Sequence, residues 1–273
     1  MKKIIITAAI CFFFTLALFA QKQNSLELSF GPSFAVGAFG GRNLDNPKSG
    51  YAGMGQQVNI GYTYMISKKI GLSAMLYAQR NMISRTKLND HLSGVNMANT
   101  VIFTGTVGTI STQPSNPPSY YYTNWNIEKN AWLAASLLLG ASADLPFSET
   151  SKLSFIAKGM IGAIAVKSPK IEGTSLTDTS GAKFTQTSKS GIGFNYLLRT
   201  GLKYNLNKKI SVLIAVDYSA TSPVTFNKVQ ATTTTVVYPT GSSFPIYAQS
   251  MRTADAKQSL QAVNLNAGIL LRL

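Results

Sequence analysis

The sequence predicts an all-β fold: an eight-stranded antiparallel up-and-down transmembrane β-barrel with short periplasmic turns and long extracellular loops. Three observations predict it. Eight stretches of about ten residues alternate apolar with small or polar side chains. Short turns alternate with longer polar segments along the chain. Charged residues make up only 13% of the sequence, against about a quarter in soluble domains. Beyond the first twenty positions no run of eighteen apolar residues occurs, so any crossing of a membrane falls to strands rather than helices.

The closing stretch shows the pattern most plainly. Val263, Leu265, Ala267, Ile269, Leu271 and Leu273 fall on one face, and Asn264, Asn266, Gly268, Leu270 and Arg272 on the other, because successive side chains of a strand point to opposite sides.

The chain begins with an address. Lys2 and Lys3 form a basic start, Ile4 to Phe19 is apolar, and Leu18-Phe19-Ala20 supplies a small residue before Gln21. Residues 1–20 are therefore expected to be a cleaved signal peptide, and residues 21–273 the barrel. Cys11 lies in the middle of the apolar run rather than at its end, so no lipid anchor is expected. It is the only cysteine, which excludes disulfides, thiolate catalysis and cysteine metal sites from the mature chain. Loss of Lys2 and Lys3 takes the formal charge from +15 to +13. The remaining basic residues are scattered and the chain is exported, so nucleic acid is not an expected partner.

In order, the first stretch sets Leu26, Leu28, Phe30, Phe34 and Val36 against Glu27, Ser29, Gly31, Ser33 and Gly37. The second sets Val58, Ile60, Tyr62, Tyr64 and Ile66 against Gln57, Asn59, Gly61, Thr63 and Met65. After the turn Ser67-Lys68-Lys69, the third runs from Ile70 to Gln79. A polar segment, 82–129, carries Pro114, Pro117, Pro118 and Tyr120 to Tyr122. The fourth stretch spans Leu133 to Leu145, and the fifth Leu153 to Ala163 after a turn at 146–152. A polar loop is expected over 167–190. The sixth stretch sets Ile192, Phe194, Tyr196, Leu198, Leu202, Tyr204 and Leu206 against Asn195, Arg199, Gly201, Lys203 and Asn205. Asn207-Lys208-Lys209 turns the chain into the seventh, Ile210 to Ser219, and a threonine-rich loop over 221–258 leads to the last.

Alternation alone leaves the orientation open, since a soluble lipocalin-type barrel buries its apolar face. Three features favour the membrane. The opposing face is rich in Gly, Ser and Asn instead of Lys and Glu. Tyr64, Tyr204 and Phe155 lie near the short turns, with Phe194, Tyr196 and Tyr218 near the loop ends, as two aromatic girdles. The short turns all fall at one end. The expected location is the outer membrane of a Gram-negative bacterium.

The segments Gly31-Pro32-Ser33-Phe34, Asp144-Leu145-Pro146 and Gly201-Leu202-Lys203-Tyr204-Asn205-Leu206-Asn207-Lys208-Lys209 resemble the small outer-membrane β-barrel domain proteins of the Bacteroidota. The pattern is similar to OmpA/OmpX-like and PorT-like eight-stranded barrels. The resemblance implies the barrel fold and, through some members, an accessory role in secretion. Such barrels usually end in an aromatic residue, and Leu273 departs from that.

The inward face holds Glu27, Lys158, Arg199, Lys203, Asp217 and Arg272. A hairpin turning at Asn207–Lys209 sets Arg199 opposite Asp217, and Glu27 is expected to approach Arg272 where the barrel closes. In a barrel this narrow these are interior ion pairs; a narrow polar conduit or gate is the other reading. Outside, Lys and Arg from Arg42 to Lys257 outnumber Asp and Glu. That favours outer-membrane lipid and lipopolysaccharide phosphates as partners, with another envelope protein as a further partner through the loops. Tyr120–Tyr122, Trp125 and the stretch Ala231 to Tyr238 are candidates for hairpins above the membrane that accept another chain by strand addition. His91 beside Asp90 is the only histidine, and catalysis, metal and cofactor are not expected. The expected function is a non-enzymatic membrane anchor or interaction scaffold, with a small-solute channel as the alternative. Inward Met65, Met75, Tyr77, Leu138, Met160, Leu213 and Leu270 oppose the channel.

Overall fold

The computed structural model describes residues 24–41, 49–93, 109–112, 124–176, 180–237 and 246–273. The expected leader (1–20), Arg42, Pro114, Pro117, Pro118, Tyr120–Tyr122 and Tyr238 lie outside the described residues. The strands are β1 (Ser25–Ala35), β2 (Ala52–Met65), β3 (Ile70–Ile83), β4 (Thr109–Thr112), β5 (Asn126–Ile127), β6 (Ala131–Pro146) and β7 (Leu153–Lys167). They continue with β8 (Ile171–Leu176), β9 (Ser180–Gln186), β10 (Ser190–Asn205), β11 (Ile210–Thr221), β12 (Val224–Val237), β13 (Ile246–Gln258) and β14 (Gln261–Arg272). Two helices, α1 (Gly37–Gly40) and α2 (Arg85–Ser93), complete the described elements.

Eight strands close into one antiparallel barrel in the order β1-β14-β11-β10-β7-β6-β3-β2. Their side chains alternate as the sequence requires. Leu28, Leu72, Leu76, Leu137, Ile161, Leu198 and Ile214 face outward, while Met75, Leu138, Met160, Leu197 and Leu213 are buried inside. Tyr196, Tyr204, Tyr218, Phe155 and Phe194 also face outward. Closure gives every strand two hydrogen-bonded neighbours and leaves no open edge, which is what allows strands to cross hydrocarbon. A closed barrel with an apolar exterior and a polar interior is the form of an outer-membrane barrel, and this chain has it.

The short turns are locally tied. Ser67 Oγ accepts from the backbone N–H of Lys69 (3.3 Å) and Ile70 (3.1 Å). Asn207 Oδ1 accepts from Lys209 and Ile210, both at 2.8 Å. These side-chain-to-backbone bonds pre-form the turn and fix the register of each hairpin.

The first strand ends at Ala35 rather than Gly37, because Gly37 takes φ +57 and turns the chain into α1. Several other strands run longer at the opposite end from the short turns: β2 starts at Ala52, β3 reaches Ile83 and β7 reaches Lys167.

The larger correction concerns the segments expected as loops. Within them, residues 109–112, 126–127, 171–176, 180–186, 224–237 and 246–258 form the strands of a second, six-stranded sheet, β4-β13-β12-β9-β8-β5. In β12, Ala231, Thr233 and Thr235 are buried while Thr232, Thr234 and Val236 are half-buried. Threonine occupies both faces, so the sequence shows no apolar contrast, although its β-branched side chain suits a strand. This sheet stands at the end of the barrel away from the short turns. Its core is continuous with the barrel mouth: Trp132, Ile164 and Val166 of the barrel pack in one cluster with Phe39, Leu88, Trp125, Phe184 and Phe226. Trp132 is the joint. It meets Phe39 edge-on at 5.7 Å and Phe226 at 5.9 Å, and its indole N–H donates to Gly50 O at 3.0 Å.

At the seam between β1 and β14 the ladder pairs Phe30 with Ala267 and Ser33 with Asn264, passing over Gly31 and Pro32. Pro32 has no N–H to donate. A Cβ on Gly31 would stand 1.7 Å from Leu265 O, so only glycine lets the two backbones approach there. Gly31→Ala should therefore weaken closure by about 1–3 kcal/mol, the range for overpacking, and urea unfolding of the folded barrel in micelles will measure it.

Candidate functional site in the barrel interior

The interior centres on four buried charges from four strands. Arg199 of β10 lies directly across from Asp217 of β11. Its guanidinium grips that carboxylate at both oxygens, Nε to Oδ1 at 2.6 Å and Nη2 to Oδ2 at 2.6 Å. The third side of the guanidinium, Nη1, donates to Glu27 Oε1 from β1. Lys158 of β7 completes the group by donating to Glu27 Oε2 at 2.6 Å. Arg199 and Lys158 are register partners on adjacent strands, a like-charged pair that Glu27 bridges. Two cations thus alternate with two carboxylates, so the cluster is neutral although all four residues are at most 7% exposed.

Its second layer is polar and neutral. Ser29 Oγ donates to Glu27 Oε1 at 3.1 Å. The Asn59 amide lies 2.7 Å from Arg199 Nη2, and with its oxygen turned to the guanidinium it accepts that hydrogen bond. Tyr77 donates to Gln79 Oε1, lies 3.2 Å from Ser219 Oγ and accepts from Asn264 Nδ2 at 3.3 Å.

The expected pairing of Glu27 with Arg272 does not form. Along the seam Glu27 stands opposite Leu270, and Arg272 opposite Ser25. Arg272 instead donates to Asn205 Oδ1 at 3.0 Å, while Glu27 reaches across the lumen. Lys203 pairs with Asp144 of β6, a carboxylate on the polar face of its strand that the sequence reading left out of the charge set. Contacts across the lumen join strands that are not neighbours, so pairing register does not reveal them.

Apolar side chains fill the lumen on both sides of the charges. Ile156, Leu213, Ala215 and Leu270 form one buried cluster toward the short turns. Met75, Tyr77, Leu138, Met160 and Leu197 form another, and Trp132 closes the external mouth. Met65, expected with this inward set, is half-buried.

Outside the spanning region, burial pushes the Tyr51 hydroxyl up to about 12, so it stays protonated at the barrel mouth. A hydrogen bond from Lys170 (2.7 Å) holds the Glu172 carboxyl below its ordinary value. Lys87 Nζ donates to Gly40 O at 2.7 Å. Some external cations are thus engaged within the protein. His91 and Asp90 are consecutive on α2.

No protein-family model matches the chain. No curated protein matches it either. Among solved structures, Neisserial surface protein A has 10% identity over 92% of this chain and 97% of that one, with a TM-score of 0.39. Ail, the attachment invasion locus protein of Yersinia pestis, has 11% identity over 90% and 99%, with a TM-score of 0.36. The outer membrane protease OmpT of Escherichia coli has 9% identity over 92% and 97%, with a TM-score of 0.33. At such values the barrel assignment rests on this chain's own closed register. The protease does correct one expectation. The sequence leads one to expect no enzyme, and a similar outer-membrane barrel is a protease.

Removing one member of a buried ion cluster strands its partner, at about 3–5 kcal/mol. Arg199→Gln is expected to destabilise the barrel by that amount and Asp217→Asn by less, since Glu27 keeps both cations in the latter. A double-mutant cycle in urea should show strong coupling between Glu27 and Arg199 and coupling near zero between Glu27 and Arg272.

Proposed function

We propose that the chain is a surface anchor: its barrel holds the external six-stranded sheet at the outer face of the outer membrane as an interaction scaffold for another envelope component. The observation that carries this reading is the shared core through Trp132, which makes sheet and barrel one packed body instead of a barrel with loose loops. A filled lumen supports it as well, because buried apolar layers lie on both sides of the charge cluster. Lipopolysaccharide and neighbouring lipid are the proposed surroundings, and residues 1–20 the proposed cleaved leader. An accessory role in envelope assembly or secretion, with kinship to the small Bacteroidota and PorT-like barrels, rests on the segments 31–34, 144–146 and 201–209.

Leu176 is 83% exposed on the external sheet, and Lys183 on the neighbouring strand is also exposed. A photo-crosslinking residue at either position should capture one discrete envelope component in native membranes, whereas the same residue at lipid-facing Ile161 should not. Planar-bilayer recording of the purified barrel is expected to give no steady conductance. Reproducible conductance steps would replace the anchor by the channel.

A further inference from the structure

The lipid-facing wall is not evenly convex. Over β2, β3, β6 and β7 it is hollowed into an apolar trough of about 800 Å³. A second hollow of about 280 Å³ adjoins it and shares Val58, Ala78 and Ala135. The cause is a row of small side chains. By strand register Val58 stands beside Ala78, Ala78 beside Ala135, and Ala135 beside Ala165. One level toward the short turns the corresponding residues on β2, β3 and β6 are Ile60, Leu76 and Leu137. Three alanines in succession therefore sink the wall, while Phe30 and Met54, 67% and 63% exposed, stand up at its side. Within a bilayer such a depression is filled by hydrocarbon, because an empty one loses the dispersion contacts of its lining.

The level above the alanines has another chemistry. Gln56, Arg80, Leu133, Lys167 and Ser190 follow one another in register across β2, β3, β6, β7 and β10, and all five are exposed. Arg80 and Lys167 both border the trough. They are two strand spacings apart, about 10 Å, a separation their long side chains can span toward one shared anion. Among the described residues no carboxylate pairs with either of them. Arg80 belongs to the last turnward-distal part of β3 and Lys167 ends β7, so both lie toward the end opposite the short turns, where the outer leaflet is.

We propose that this wall is a binding site for the phosphorylated glycolipid of the outer leaflet: a lipid A phosphate held between Arg80 and Lys167, with an acyl chain laid along Ala78, Ala135 and Ala165. The argument is charge complementarity joined to shape. Arg forks onto phosphate oxygens and Lys adds a point charge, while Gln56 and Ser190 supply neutral donors at the same level. The site rests on the outer-membrane placement proposed above and adds to it a specific lipid and a specific face.

The test uses the full barrel in detergent micelles, its fold checked by heat-dependent gel mobility, with native mass spectrometry as readout. Added diphosphoryl lipid A is expected to give a one-to-one adduct. Arg80→Ala with Lys167→Ala should weaken it at least tenfold, as should Ala135→Phe, which fills the trough and leaves the charges in place; Arg80→Lys should keep most of it. Dephosphorylated lipid A, phosphatidylglycerol and inorganic phosphate serve as the comparison probes, each expected to bind at least tenfold more weakly. Equal binding of dephosphorylated lipid A overturns the phosphate contact, and equal binding of phosphatidylglycerol overturns the choice of glycolipid. Unchanged binding by a folded double variant overturns the site. A stable dimer without lipid overturns it in favour of a second copy on this wall. A chain that stays out of lipid vesicles overturns the outer-membrane placement itself and the lipid site with it.

Discussion

The guanidinium of Arg199 is the group on which most of the interior depends. It joins Asp217 on the adjacent strand to Glu27 on the far side of the lumen, and Glu27 in turn holds Lys158. Four strands that share no single ladder, β1, β7, β10 and β11, are thereby tied at one level. The arrangement does more than satisfy charge. A slip of one residue in any of these strands sends its inward side chains to the lipid. A buried Arg, Lys, Glu or Asp would then lie in hydrocarbon without its partner. The cluster thus penalises wrong registers more heavily than it stabilises the right one, since a buried ion pair adds little over an apolar filling of the same volume.

This division explains what the sequence revealed. Alternation marked all eight barrel strands because lipid and lumen demand opposite side chains, and Val263 to Leu273 carried that contrast at every position but the inward Leu270. Arg199 and Asp217 were legible as a pair because Asn207 fixes the turn between their strands, and a fixed turn fixes the register. Glu27 was misassigned to Arg272 because the closing seam has no such turn. Chain order says that β1 meets β14 but not at which residue, and the true register carries Arg272 to Ser25. The partners Glu27 does have stand across the lumen, a relation that depends on barrel curvature and leaves no mark in local spacing.

The external sheet was legible only as the candidate hairpin over Ala231 to Val237, which β12 and β13 form, and the rest was hidden for a different reason. A strand is read from the difference between its faces, and Thr232, Thr233, Thr234 and Thr235 give both faces the same side chain. More than half of that sheet's core also comes from outside it. Trp132 belongs to a barrel strand, Phe39 to a short helix and Leu88 to another. Each looks like an isolated apolar residue in a polar neighbourhood until the chain is folded. What did remain legible was the composition: β-branched residues at high density, which suit a strand even where periodicity is silent.

An eight-stranded barrel has room only for its own side chains, and here they fill it. The recognition proposed above therefore falls to surfaces that the interior does not use, the external sheet and the outer wall. On the wall the same logic of register applies in reverse. Ala78, Ala135 and Ala165 form a row only because three hairpin partners place them side by side, and Arg80 and Lys167 share a level for the same reason. A cation on the lipid face of a barrel costs about 2–4 kcal/mol at the bilayer midplane and about 0–1 near the interface. Two of them beside an apolar hollow are consistent with a wall that meets lipid at its headgroups and its chains together. The pleat that sends Arg199 inward to find Asp217 is the same pleat that sends Lys167 outward, where the proposed lipid phosphate would be its partner.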